Sequence, residues 1–157
     1  MIAHTPEPRL EAGVPVCYLN ERGDTIVPYG RYKFCQTDTI KGIGFVYEDK
    51  PRDARIVCIN DAGKKLFYVV ECDNGPDYVK EGLFRIMDEK GLMGFADSSG
   101  HIIITPQFKF AYPFEGGKAK VTFTGKRKVV SGSDGEKHYW DSEEWRYINR
   151  RCKFVQP

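Results

Sequence analysis

A recurring turn constrains this chain more than any other feature. Asn or Asp, two polar residues and Gly separate two apolar runs at Asn20–Gly23, Asn60–Gly63 and Asp97–Gly100. A fourth copy, Asn149–Cys152, carries Cys152 in the glycine position. Gly23, Gly63 and Gly100 lie about 40 residues apart, a period that marks a repeat architecture. The chemistry of the turn is local. An Asx side chain accepts hydrogen bonds from the backbone just ahead of it, and Gly takes the positive φ that a type I turn with a G1 bulge requires. The flanking runs therefore become antiparallel hairpin strands. A Cys at positive φ is strained, so the last hairpin is expected to be differently shaped or unfinished.

A third apolar segment follows each of the first three hairpins, at Gly42–Val46, Gly82–Ile86 and Gly117–Val121. In the last of these Lys118, Lys120 and Thr122 alternate with Ala119, Val121 and Phe123, the period of a strand with one wet and one buried face. Asp88-Glu89-Lys90-Gly91 is a polar turn leading into the next hairpin. Each copy thus reads as a three-stranded antiparallel meander. The connector Thr105–Gly116 holds Pro106, expected to stop its strand. It also holds Phe108, Tyr112 and Phe114, expected to plug the gap between units. Tyr32, Phe34 and Tyr78 are candidates for that task in the earlier copies.

Residues 124–142 interrupt the array. Val129-Val130 and His138-Tyr139-Trp140 flank the turn-rich Ser131–Gly135, which predicts a protruding hairpin. Asp141–Glu144 offers a helix cap, but a strand over Trp145–Ile148 matches the repeat better. The predicted fold is all-β: three to four stacked meander repeats, solenoid-like or barrel-like, with the open stack favoured. One domain covers residues 1–157: an arm at 1–15, repeats at about 16–50, 51–90 and 91–123, the insertion at 124–142 and a degenerate repeat at 143–157. The arm and the C-terminal strand are expected to cap sheet edges.

These residues resemble bacterial WG-repeat proteins, also called KWG repeats. That unit runs Trp-Gly-aromatic-Ile-Asp, a polar pair, Gly, an aliphatic strand, Pro, an aromatic connector, then Phe-x-x-Gly-x-Ala-x-Val. Gly94-Phe95-Ala96-Asp97, Gly100, Ile102–Ile104, Pro106, Phe108, Tyr112, Phe114, Gly117, Ala119 and Val121 match it. Met93 stands where the Trp would be. Trp145 occupies that place in the fourth copy, followed by Arg146. The resemblance implies a β-repeat domain without a known catalytic function, and it carries over no ligand residue.

The chemistry-bearing residues are sparse. His4, His101 and His138 have no metal-ligand spacing. Cys17, Cys35, Cys58, Cys72 and Cys152 form no CxxC pair, so reduced thiols in a cytoplasmic protein are expected. Cys17 and Cys58 read as small apolar core residues, and Cys72 as exposed. No nucleophile motif, phosphate loop, metal or cofactor site is found, and no enzymatic activity is expected. The net charge of +2 is too small to imply nucleic acid or membrane, although bases exceed acids after residue 100.

The leading expectation is a non-catalytic module that binds another protein. Its candidate contacts are Tyr139, Trp140, Trp145, Lys126, Arg127 and Lys128. The alternative is binding of polysaccharide or nucleic acid through the basic, aromatic C-terminal face, where Lys118, Lys120, Arg146, Arg150, Arg151, Lys153 and Tyr147 join those residues. Asp134, Glu136, Asp141, Glu143 and Glu144 interrupt that face, which favours a solvated surface. The aromatics in general read as packing residues.

Overall fold

A computed structural model describes residues 1–48, 55–135 and 137–157. The expected repeat boundary at residues 50 and 51, and Glu136, lie outside these. Every regular element among the described residues is a β-strand. The chain groups into two compact units, residues 1–78 with 98–101, and residues 79–97 with 102–157.

In the first unit the strands are β1 (Ile2–His4), β2 (Cys17–Leu19), β3 (Thr25–Val27), β4 (Phe34–Cys35), β5 (Ile43–Glu48), β6 (Arg55–Asn60), β7 (Lys65–Val69), β8 (Glu71–Cys72) and β9 (Gly75–Pro76). In the second they are β10 (Leu83–Met87), β11 (Met93–Asp97), β12 (Ile102–Phe108), β13 (Phe110–Ala111), β14 (Lys118–Thr122), β15 (Lys126–Val129), β16 (His138–Asp141), β17 (Arg146–Asn149) and β18 (Phe154–Val155).

The recurring turn is built as its chemistry demands. Asn20 Oδ1 accepts from the backbone N–H of Arg22 and Asp24, both at 2.9 Å. Asn60 does the same for Ala62 and Lys64 at 3.1 and 2.9 Å. Gly23, Gly63 and Gly100 have φ of 85°, 73° and 86°. Asp88 repeats the device between β10 and β11, accepting from Lys90 and Leu92 at 2.9 Å. The fourth copy corrects one expectation. Asn149 accepts from Arg151 and Lys153 at 3.0 and 3.1 Å, and β17 pairs with β18. Cys152 takes φ 57° in the glycine's place, so the turn keeps its shape and the residue bears the strain. A left-handed L-residue costs roughly 1–2 kcal/mol, part of which glycine's chain entropy returns. Cys152→Gly should therefore raise stability by about 1 kcal/mol, read from urea midpoints at unchanged slope.

Three-stranded meanders are present, in the phase set by the turns between copies. The third segment of one copy pairs with the hairpin of the next, giving β5-β6-β7, β10-β11-β12 and β14-β17-β18. The tight Asp88 turn explains the phase, since it joins β10 to β11 as closely as any hairpin, whereas each connector is long. The first hairpin has no preceding copy. The arm fills that place, with β1 pairing with β2 over Ile2↔Leu19 to His4↔Cys17.

Pro106 does not end its strand. β12 runs through it to Phe108, because a register irregularity opposite Gly94 removes the need for a ladder donor there. A Cβ built on Gly94 would lie 2.6 Å from Pro106 N and 2.9 Å from its Cα, and closer still to the Ile104 carbonyl oxygen. The Gly94–Pro106 pair is thus one structural device: the bulge reaches a backbone that has no side chain.

Core and surface divide unevenly among the aromatics. Phe108 and Phe114 are buried, and Phe114 meets Phe95 edge-on at 4.8 Å. Tyr32 is buried as well, and Phe34 packs on Tyr47 at 5.7 Å. Tyr112 and Tyr78, expected as plugs, are exposed instead. The alternation along β14 holds, but the insertion covers its end, where Thr122 stands opposite Phe110. Thr122 is fully buried and Phe123 is exposed, because hydroxyl partners satisfy Thr122 where the inserted hairpin begins. Asp141–Glu144 starts no helix. Ser142 Oγ accepts from Glu144 N at 3.2 Å, and the strand begins at Arg146.

Candidate functional site

The second unit carries the surface of interest, the outer face of the β13-β14-β17-β18 sheet. Period two decides what stands there. Ala111, Ala119, Val121 and Ile148 are buried on one side. Lys118 and Lys120 point to the other side with Asn149 and Tyr147, their partners in register on β17. Tyr112 extends the row, its backbone N–H bonded to Lys120 O at 2.9 Å.

Phe110 is the hub of an aromatic cluster on this face. It stacks on Trp140 at 5.4 Å and 17°, and meets Tyr112 at 5.2 Å and Trp145 at 6.4 Å edge-on. Tyr112 and Trp145 lie 5.5 Å apart. Ammonium groups sit on these rings: Lys120 Nζ is 4.6 Å from the Trp145 centroid and 5.9 Å from that of Tyr112, and Lys118 Nζ is 5.5 Å from that of Tyr147. Beside the cluster lies an open groove of about 820 Å³. Lys80, Tyr112, Lys118, Lys120 and Tyr147 line it, with Glu115 as its acidic member and Phe114 also contributing.

The inserted hairpin is anchored to this face at its base. Gly125 has φ 94°, and a Cβ there would lie 2.8 Å from both Trp140 Nε1 and Ser142 Cβ. That open space lets Trp140 Nε1 donate to Thr124 O at 2.9 Å. Ser142 Oγ pairs with Thr122 Oγ1 at 2.8 Å and with Thr124 Oγ1 at 2.9 Å. A second tie enters from β10's approach, where Glu81 Oε2 accepts from Gly117 N at 3.0 Å and Arg150 Nη1 donates to Glu81 O.

The six residues singled out from sequence are divided by the hairpin's pairing. Arg127 stands opposite Trp140, Lys126 opposite Asp141, and Lys128 opposite Tyr139. Directly opposed residues share a face, so Arg127 and Trp140 lie on one side, and Lys126, Lys128 and Tyr139 on the other. Trp140 and Trp145 are brought together at Phe110. Tyr139, Lys126 and Arg127 are exposed. Lys128 is paired with Asp141, and hydrogen bonding to that carboxylate raises its pKa. Sequence reasoning passed over Phe110 and Tyr112 as site residues, and counted Lys118, Lys120 and Tyr147 only toward the basic, aromatic face of the alternative reading. The signal was available in the two-residue spacing of Phe108, Phe110 and Tyr112, but not which member would face outward.

Three of the thiols are held protonated by burial. Burial pushes Cys58 up to about 12, and it also raises Cys35 and Cys152. All five cysteines are free thiols. Among the described residues no three His, Cys, Asp or Glu side chains gather as a metal site, and no helix is long and apolar enough to cross a membrane.

Residues 93–126 match the family model of the WG containing repeat. The chain carries a WG repeat. The matched segment begins on β11, with Gly94 facing the Pro106 bulge, and runs through β14 to the first residue of β15. The WG repeat therefore supplies the floor and the lysine row of the aromatic face, while Trp140, Trp145 and Tyr147 come from the segment after it. No curated protein and no solved structure matches the chain. The WG repeat, as a repeat module of unknown function, brings no assigned activity.

Proposed function

We propose that this chain is a non-catalytic interaction module that binds another protein through the outer face of the β13-β14-β17-β18 sheet. The observation that carries the reading is the Phe110–Trp140–Trp145–Tyr112 cluster, aromatic surface that a soluble sheet does not need on its wet side. Trp and Tyr are among the residues that carry most of the binding energy at protein interfaces. The raised pKa values of Cys35, Cys58 and Cys152 support a non-catalytic role for those thiols, since thiolates are the nucleophilic form. Five unbridged cysteines support a reducing, cytoplasmic setting.

Trp140 and Trp145 separate fold from contact. Trp140→Ala removes a stacked ring and the bond to Thr124 O, and should cost about 2 kcal/mol while loosening the hairpin. Trp145→Ala removes ring-edge and ammonium contacts only, at about 1 kcal/mol. The test is binding of the full chain to a protein recovered by photo-crosslinking from this face. Loss of binding in Trp145→Ala with unfolding little changed supports the module. Unchanged binding, or capture of polysaccharide or nucleic acid in place of protein, overturns it.

A further inference from the structure

We infer that the groove beside the aromatic cluster takes an extended acidic peptide segment, its carboxylates meeting Lys118, Lys120 and Lys80. The inference rests on the protein-binding reading and names the chemistry of the partner. Among the described residues none of these three ammoniums has a carboxylate partner, whereas Lys65 and Lys128 each have one. Lys118 and Lys120 instead lie over Tyr147, Tyr112 and Trp145. A cation held on a ring keeps its charge and a fixed place, so an incoming carboxylate meets a positioned ammonium.

The spacing and the rings choose among anionic partners. Alternate residues of a strand stand about 7 Å apart on one face. That is also the separation of side chains two residues apart on an extended peptide, so Lys118 and Lys120 match carboxylates at every second position. Stacking of a base or sugar on Tyr147, Tyr112 or Trp145 has to contend with an ammonium already on one ring face, while a carboxylate adds to that arrangement. Glu115, the acidic member of the lining, opposes an anionic ligand and provides an internal control.

The full chain is titrated with a labelled peptide of alternating Glu and Thr. A peptide of the same composition with its Glu residues in one block, oligothymidylate and oligogalacturonate serve as comparisons. The alternating peptide should bind more tightly than the other three and weaken with salt. Lys118→Gln and Lys120→Gln should each reduce its affinity about fivefold, and Glu115→Gln should raise it about twofold, since exposed charge pairs contribute up to about 1 kcal/mol each. Thermal unfolding of each variant shows that the sheet persists. The inference is overturned if the peptide fails to bind, or binds equally to both lysine variants. If a crosslinked protein partner is also indifferent to Lys118 and Lys120, the acidic-peptide assignment fails and the module stands. If oligothymidylate or oligogalacturonate binds more tightly than the peptide, both readings fail.

Discussion

Gly94→Ala should destabilise the chain by about 3 kcal/mol, the upper range for forcing an extra carbon into a packed site. The atoms the new methyl would meet are the Ile104 carbonyl oxygen and Pro106 N and Cα. All are backbone, so no side chain can turn aside. Relief requires moving β12 away from β11 and breaking the pairing from Met93↔Phe108 to Ala96↔Ile102. Two controls make the result specific. Gly75 has ordinary φ and its added Cβ would reach only Cys72 O at 3.9 Å, so Gly75→Ala should stay within about 0.5 kcal/mol of the parent. Pro106→Ala in the Gly94→Ala background should give no rescue, because the clash is with the bulged main chain. Denaturant unfolding with unchanged slope reads all three. A Gly94→Ala loss below about 1 kcal/mol would show that the bulge can retreat, and the account of the glycine would be wrong.

Phe114→Ala should cost about 4 kcal/mol, as expected for deleting a buried phenyl ring. The residue sits in a connector without regular structure, where a solvated side chain would cost almost nothing. Its ring is 2 % exposed and lies edge-on to Phe95 at 4.8 Å. A double-mutant cycle with Phe95→Ala should therefore show a coupling of about 1 kcal/mol. Because Phe114 also lines the groove, the variant should bind the alternating acidic peptide more weakly even at temperatures where it remains folded. Additive losses in the cycle would mean that the two rings do not share one packed site.

Much of the fold was legible because its instructions are short-range. Asn20, Asn60 and Asn149 each hold their own turn with their own side chain, so residues within four positions specify a hairpin. The same logic predicted the inserted hairpin at β15 and β16. Its limit is plain at Cys152, where the Asn149 hydrogen bonds and the β17–β18 pairing override an unfavourable φ. Pro106 shows the limit from the other side. A proline forbids a ladder bond, but whether the ladder needs that bond depends on a bulge set by Gly94 across the sheet.

The candidate site was legible in part. Trp140 was visible as an aromatic of the insertion and Trp145 as the Trp of the fourth copy, and both stand at the cluster. Their hub, Phe110, passed as one residue of a connector, and Lys118 and Lys120 were read as strand alternation and as members of the basic C-terminal face. Which neighbours a strand face acquires depends on cross-strand register, and Tyr147 reaches Lys120 only through pairing between β14 and β17. The basic run Lys126–Lys128 drew attention as a charge cluster. Pairing in the hairpin splits it between two faces and joins Lys128 to Asp141.

By itself the sequence determined the all-β class, the position of every Asx turn and the existence of the insertion. These follow from backbone preferences and hydrogen bonds within a few residues. Only the tertiary structure decided that each third segment joins the next hairpin, that the insertion covers Thr122 while Phe123 is left exposed, and that ammoniums settle on the rings of Tyr147 and Trp145. Those outcomes depend on contacts between residues far apart in the chain, and a period of two along one strand cannot say which strand will lie beside it.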